Sequence, residues 1–400
     1  MRIPGGRAFA DWPPSAAVLS CLKLQEFQVA EAIHCPSCST RYRLRADRLG
    51  PAIRRAQCFS CGGVFPVGDV VQRLLADAPP LTATASFGLE DLAAAWKQER
   101  PGAIFADRIL GMVFFNPSLR TRASFEAAML RHGGHAIVLE VGAGTWKLED
   151  RDGAVMDQDR AEHVREGVPV LGRYVDALAV RTFSHGDGDD IDELDPVINA
   201  FRRFSTVPVL SMESAREHPH QGLADLLTIQ EAHGTTKVPV TLTWAPHMKP
   251  LPKAVPNSFL LTAAACGAEI RVAHPKGYEL APEVRAEAEK YAAATGGKIL
   301  YTTDQDAALE GSAAVYAKAW GPSTTSGLEA APMADLGAWM PTAAHMRKAA
   351  KEAIFTHCLP VRRNLEVHDS VLDGPWSRVV DEAENRFHVQ RATLHHLLNA

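Results

Sequence analysis

From about residue 88 onward the chain alternates short, β-rich apolar runs with windows of helical spacing, and this rhythm constrains its fold more than any other feature. The runs ILGMVFF (109–115), HAIVLEV (135–141), ALAVRTF (177–183) and VPVLSM (207–212) form one series. A second series follows: VPVTLTW (238–244), EIRVAH (269–274), KILYT (298–302), AAVYAKAW (313–320) and AIFTHCL (353–359). Strands separated by helices lie parallel, since each crossover returns the chain to the same end of the sheet. The expected architecture is therefore α/β, with two parallel-sheet domains over 88–234 and 235–384 and a break near 234–237. The final stretch NRFHVQRATLHHLL places apolar residues at helical spacing, so a helix over 385–400 is expected to pack back across the first domain.

The head of the chain is different in kind. CPSC at 35–38 and CFSC at 58–61 are separated by nineteen residues. Each C-x2-C aims two thiolates from one tight turn, and two such knuckles complete a tetrahedral S4 zinc site. The other cysteines, Cys21, Cys266 and Cys358, are isolated, so metal binding accounts for the clustered four better than disulfides do. The pattern CPxC, RYRLRADRLG, CxxCGxxF resembles a small prokaryotic N-terminal zinc ribbon. That resemblance implies a module over 34–66 with Cys35, Cys38, Cys58 and Cys61 as ligands, between an extension over 1–33 and a Pro, Ala and Thr-rich linker over 67–87. So small a module cannot fold on apolar burial alone, and structural zinc would supply much of its folding free energy. Residues 1–70 carry nine Lys/Arg against five Asp/Glu, a net +4, which leaves −9 for the rest of a chain whose total is −5. Six arginines fall between 41 and 55, a patch suited to nucleic acid or an acidic protein, or to the solvated face of a small module.

FFNPSLRTRASF (114–125) joins an apolar strand end to a helix start through Ser118, Arg120, Thr121 and Arg122. A helix start already favours an anion through its unpaired N–H groups and dipole, and two guanidiniums add bidentate phosphate contacts. There is no GxxxxGK, so a nucleoside triphosphate cradle is not indicated. Other polar groups also fall at strand ends, where open α/β sheets bind ligands. Arg181 ends VRTF, HPHQ (218–221) opens a helix, and HCLP (357–360) follows a strand with Arg362 and Arg363 next. Together they outline a converging anion and oxyanion site.

SLRTR, HPHQ and HCLP, in this order, resemble the carbamoyltransferase family over roughly three quarters of the chain. The likeness is strongest to enzymes that carbamoylate N-acylated ornithine, through GTWKLE, VMDQD, PVLGRYVDALAVRTF, TWAPHMKPLP, VYAKAWG, HCLPVRRN and DEAENRFHVQ. The resemblance implies two Rossmann-like domains, the first binding carbamoyl phosphate and the second acylornithine, assembled as a homotrimer. It implies that Ser118, Leu119, Arg120, Thr121 and Arg122 hold the phosphate. Arg181, His218, Gln221, Cys358, Leu359 and Arg386 would surround the carbamoyl group, with Trp146 lent by a neighbouring subunit, and Glu213, His247, Lys318 and Arg362 would face the amino acid. Arg181, His218 and Thr121 would stabilise charge on the carbonyl oxygen during attack by the δ-amine, with no catalytic cofactor.

Enzymes of this family that use free ornithine carry an aspartate and an SMG loop for its α-ammonium. Here the region reads VYAKAWGPSTTSG, and the cation Lys318 suits a neutral, acylated α-nitrogen. The acetylornithine type has a glutamate where this chain has Ala161, and a modified lysine where it has Glu366. Loss of a carboxylate at Ala161 lessens repulsion of a succinyl carboxylate, which favours succinyl over acetyl. Free-ornithine carbamoylation, and a regulatory protein built from a zinc ribbon on a vestigial transferase body, are the competing readings. With 46% hydrophobic and 22% charged residues the composition is that of a soluble globular protein. No apolar run approaches the roughly 20 residues of a membrane span, and no secretory h-region is present, so a cytoplasmic location is expected.

Overall fold

The computed structural model describes residues 30–39, 41–45, 55–58, 61, 63–67, 93–94, 97–98, 101–183, 195–323 and 329–398. Residues 1–29 of the expected extension, Arg48 and Arg54 of the basic patch, and 68–87 of the linker lie outside them. The chain forms two compact units, Met1–Gly88 and Leu89–Ala400.

In the first unit, strands β1 (Ala30–His34) and β2 (Arg41–Arg45) pair antiparallel, as do β3 (Arg55–Gln57) and β4 (Val64–Pro66). Cys35 and Cys58 are buried with Phe65 and Val67 in a core to which, among the described residues, Ile33 and Ala56 add. That core is too small to hold two hairpins together unaided.

The second unit contains two parallel sheets. The first has the order β10 (Val209–Glu213), β9 (Ala177–Arg181), β5 (Ile109–Phe114), β6 (His135–Glu140). The second is five-stranded: β13 (Lys298–Thr302), β12 (Glu269–Ala273), β11 (Pro239–Trp244), β14 (Ala314–Lys318), β15 (Ile354–Thr356). All nine runs read from the sequence are strands, and the central ones are buried along their length because helices cover both faces. A short parallel pair, β7 (Lys147–Glu149) and β8 (Arg160–His163), lies between β6 and β9 in the chain and has no counterpart in the sequence reading.

Helix α1 (Leu119–Arg131) follows β5, α2 (Val164–Leu171) precedes β9, and α3 (Pro196–Phe204) precedes β10. Helix α4 (Pro219–His233) is buried without a break from His220 to Ile229, and α5 (Ala254–Ala265) is buried at every position. They pack on each other closely: a Cβ on Gly222 would come within 2.5 Å of Thr262 Oγ1 and 2.9 Å of the Ser258 carbonyl oxygen. Only glycine permits that approach between the halves of the unit. Helix α6 (Pro282–Thr295) flanks α5 on the other side. The last helix, α7 (Val379–Leu398), packs on the first half: Leu394 and Leu398 join Phe125 and Met129, while Val389 and Ala392 join Leu223 and Leu227.

Candidate active site

Each sheet changes direction once, and the site residues gather at those two places. In the first sheet the chain steps from β5 outward to β6, then crosses to β9 on the other side, so the turns after β5 and β9 diverge and leave a crevice. In the second sheet the same happens between β11 and β14. Arg181 is the last residue of β9 and Lys318 the last of β14. Asn116 Oδ1 accepts the Phe183 N–H at 2.8 Å, tying the turn after β5 to the turn after β9.

Ser118 caps α1, accepting the Thr121 N–H at 3.3 Å, and the first turn holds no acidic residue. This helix start is electrostatically open to an anion. Arg386, from α7, donates through Nη2 to Thr121 Oγ1 at 2.6 Å. Burial lowers the Arg120 pKa, with Arg181 nearby also lowering it, and burial brings Arg386 down to about 10, so both remain cations at neutral pH. The Nε donors of Arg120, Arg181 and Arg386 are all buried without a hydrogen-bond partner. Buried charged donors without partners cost about 1–3 kcal/mol or more each unless a ligand satisfies them. Cationic donors of this kind suit an oxyanion.

Beside them, Arg181 Nη1 is paired with Glu213 Oε2, and His218 Nε2 lies 3.4 Å from the same oxygen. Glu213 thus lies against Arg181 while also feeling Lys318. Burial pushes its pKa up, opposed by Arg181 and Arg386. Burial, with Arg386 and Arg181 adding to it, holds His218 well below the ordinary histidine range, so the ring is neutral. Its backbone N–H donates to Ser258 Oγ on α5 at 2.7 Å, which fixes the start of α4. Gln221 donates from Nε2 to Asp225 and Glu382, and Glu382 in turn accepts the His357 N–H at 2.7 Å. In the HCLP turn Leu359 adopts a left-handed φ of 52° and its N–H donates to His357 Nδ1 at 3.0 Å. Burial raises the Cys358 pKa, leaving a thiol without nucleophilic character at neutral pH.

A second cluster lies at the other crevice. Lys318 and His247 are buried, and Arg362 donates from Nε to His247 Nε2 at 3.1 Å. Glu366, 1% exposed, accepts the Arg362 N–H at 2.7 Å and lies 3.9 Å from His357 Nε2.

Other expected site residues stand apart from both clusters within this chain. Leu119 is 82% exposed, and Arg122 pairs with Glu140 at 2.8 Å and Glu126 at 3.4 Å on the outer face of α1. Trp146 is 60% exposed, its Nε1 donating to Glu162 at 2.7 Å. Ala161 is the extra residue of a bulge in the β7–β8 pair, where Lys147 faces Arg160 but Leu148 faces Glu162. Asp225, Ser258 and Glu382 were not singled out in the sequence, although Asp225 four residues after Gln221, and Glu382 four before Arg386, mark shared helix faces.

In the N-terminal unit the four cysteine sulfurs lie within 4.8 Å of one another, with Cys35 to Cys61 at 3.6 Å and Cys38 to Cys58 at 3.5 Å. Four thiolates at about 2.3 Å from a tetrahedral ion would be about 3.8 Å apart, so the donor set fits zinc.

Buried arginines at one switch point, with Lys318, His247 and Arg362 at the other, form the charge pattern that suits a transferase acting on two anionic substrates. The comparisons with known proteins fix which transferase class this is. The chain belongs to the aspartate/ornithine carbamoyltransferase family: its carbamoyl-P binding domain matches residues 80–231 and its Asp/Orn binding domain 252–397. A zinc-ribbon domain matches 32–66. The chain is 42% identical over 280 residues to an N-succinylornithine carbamoyltransferase of Bacteroides thetaiotaomicron, spanning 70% of this chain and 84% of the relative. It is 39% identical over 308 residues to an N-acetylornithine carbamoyltransferase of Xanthomonas campestris pv. campestris, spanning 76% and 91%. A crystal structure of a glutamate-to-alanine mutant of N-acetyl-L-ornithine transcarbamylase, complexed with carbamyl phosphate and N-succinyl-L-norvaline, superposes with a TM-score of 0.75 at 38% identity, covering 79% of this chain and 97% of that one. No helix among the described residues is long and apolar enough to cross a membrane.

Proposed function

We propose that the protein transfers the carbamoyl group of carbamoyl phosphate to the δ-amine of an N-acylated L-ornithine, giving N-acylcitrulline and phosphate, as a step of arginine biosynthesis. The observation that carries this reading is the set of three unpartnered guanidinium Nε donors beside the capped start of α1. A dianionic phosphate satisfies them, and the Ser118–Arg122 turn supplies further N–H groups.

The neutral δ-amine attacks the carbonyl carbon, the C–O bond to phosphate breaks, and the proton lost from nitrogen leaves with phosphate as HPO4(2−). Negative charge grows on the carbonyl oxygen, where Arg181, Thr121 and neutral His218 donate, and on the bridging oxygen, where Arg120 and Arg386 stand. Prepositioned cations need no reorganisation as that charge develops. Lys318 and the Arg362–His247 pair take the carboxylate end of the acylornithine, which carries no α-ammonium to repel them. No step of this reading calls on a metal; zinc is assigned to the N-terminal ribbon, whose basic strand is suited to nucleic acid or an acidic protein.

We infer a succinyl group as the preferred acyl. The relatives with solved structures include alanine, serine and proline replacements of one glutamate, each in complex with N-succinyl-L-norvaline. On the resemblance, Ala161 would stand where the acetylornithine type has a glutamate, and we take that to be the residue replaced. A lysine-to-glutamate variant has been solved with PALAO, and Glu366 is this chain's residue at the modified lysine. Exposed Trp146 and the β7–β8 pair that carries Ala161 suit contribution to a neighbouring copy's site in a cytoplasmic homotrimer. The test is a side-by-side assay of citrulline-type product from carbamoyl phosphate with ornithine, N-acetylornithine and N-succinylornithine. A win for free ornithine overturns the reading of Lys318.

A further inference from the structure

Gln221 Nε2 donates to Asp225 Oδ1 at 2.6 Å and to Glu382 Oε1 at 2.7 Å. A carboxamide has two N–H donors and one acceptor oxygen, so both donors are used and the amide has a single orientation. Its oxygen is buried and without a partner. Glu382 is itself anchored at the other end, since its Oε2 accepts the His357 N–H. One carboxylate on α7 thus ties the HPHQ helix to the HCLP turn.

Asp225 and Glu382 are both 0% exposed. Two carboxylates that share one amide in a dry interior cannot both be charged. Burial pushes Asp225 up to about 7, and burial with the Asp225 charge holds Glu382 well above the ordinary carboxylate range. The pair therefore keeps one proton. Each carboxyl hydrogen-bonds the other, so the pair shares that proton while Glu382 goes on accepting from Gln221 and His357. Arg386, Tyr316 and Cys358 are the other polar groups that bear on the pair.

We propose that Asp225 and Glu382 are positioning residues for donor selection: they lock the Gln221 carboxamide with its oxygen presented to the transferred group, so that the enzyme takes a phosphorylated donor bearing –NH2 on the carbonyl carbon and rejects the near-isosteric one bearing –CH3. This rests on carbamoyl phosphate as the donor. A carbamoyl N–H meets the locked oxygen. A methyl leaves that oxygen buried and unpaired, and a site built around a hydrogen bond rejects the analogue that lacks it strongly. A free carboxamide would turn to another partner and lose most of that discrimination.

The experiment uses the full chain with N-succinylornithine or N-acetylornithine, whichever it carbamoylates, and measures KM for carbamoyl phosphate and Ki for acetyl phosphate as its competitor. In Asp225→Leu and Glu382→Gln the ratio Ki/KM should fall by about tenfold or more. Glutamine at 382 must set an N–H against either Gln221 or His357. Asp225→Asn should retain the ratio, because its oxygen still accepts from Gln221 and its N–H can donate to Glu382 in place of the shared proton. Should the leucine variant not fold, the contrast between Glu382→Gln and Asp225→Asn decides the matter. Unchanged ratios in the leucine and glutamine variants overturn the proposal, and so does a loss in Asp225→Asn as large as theirs. A wild-type chain that turns over no carbamoyl phosphate would sink the donor assignment and this proposal together.

Discussion

Arg386 on the last helix donates to Thr121 Oγ1 on the first helix of the phosphate turn at 2.6 Å. The contact explains why the chain returns across its first half after completing the second sheet. Helix α7 buries Val389, Ala392 and Leu394 against α4 and α1, and this apolar anchoring places a guanidinium that is only 4% exposed among Arg120, Arg181 and Glu213. The last helix is a structural brace and a part of the anion pocket at once.

Replacing Arg386 by glutamine should therefore damage the chemical step more than the fold. Removing one preorganised donor from developing charge lowers rates by about 10²–10³ in comparable sites. Steady-state kinetics should show kcat/KM for carbamoyl phosphate reduced by that order while KM for the acylornithine moves little. A rate within a factor of two of wild type would remove Arg386 from the site.

Glu366 offers a test of the second crevice. It accepts the Arg362 N–H, and Arg362 in turn holds His247. Glu366→Ala removes the acceptor of the part-buried Arg362 N–H bond and frees the loop that carries Arg362. KM for the acylornithine should rise about tenfold or more, with KM for carbamoyl phosphate steady. Unchanged kinetics would show that the negative charge at this position does not serve substrate binding.

The sheets were legible because period and length agree: nine apolar runs, each bounded by helical windows, became nine parallel strands. The strands β7 and β8 escaped because KLE and RAEH have neither apolar alternation nor length, and their pairing depends on a bulge that no local pattern announces. Motif residues were visible where a strand end or helix start signals them, as with Ser118, Arg181 and His218. Asp225, Ser258 and Glu382 were not, because what they do depends on contacts between α4, α5 and α7 that are far apart in sequence. The Glu213–Arg181 pair shows the same limit, since it joins the ends of two strands whose pairing the local pattern does not announce.

His220 should make stability fall in acid. It is 1% exposed, packed edge-on against Phe125 with ring centroids 5.2 Å apart, and burial lowers its pKa to about 3. Above about pH 6.5 the ring is neutral in both folded and unfolded chains and contributes no pH dependence. Between about 6.5 and 3 the unfolded chain takes a proton that the folded chain refuses, so stability falls as pH falls, by up to about 1.4 kcal/mol per pH unit. Denaturant titrations at several values between pH 7 and 5 should give a flatter profile for His220→Leu than for wild type. Parallel profiles would mean the native ring is protonated.

The four clustered sulfurs make a claim about metal content. Four thiolates this close repel unless a cation offsets them, and the small core around Phe65 cannot close the hairpins alone. Purified protein should carry about one zinc ion per chain, and Cys58→Ser should lose it and become susceptible to protease between the two knuckles. A metal-free wild-type protein with the same protection would show that the unit folds without zinc.

Ala161 provides the sharpest test of the acyl group. It is exposed, in a bulge of β8 next to Glu162, whose carboxylate holds Trp146 at 2.7 Å. A bulge re-aims one side chain out of the ladder, and at this position alanine adds neither charge nor length. A succinyl group ends in a carboxylate where an acetyl group ends in a methyl. Ala161→Glu would set a second carboxylate beside Glu162 and against that terminus, and like charges in a shared pocket cost about 1 kcal/mol or more. The ratio of kcat/KM for N-succinylornithine over N-acetylornithine should drop by about tenfold or more, chiefly through KM for the succinyl compound. Because the β7–β8 pair is far from the Arg362–His247 pair in the chain and carries none of the phosphate ligands, KM for carbamoyl phosphate should hold steady, which separates a specificity change from a damaged site. An unchanged ratio would place acyl recognition elsewhere and leave the succinyl assignment without its support.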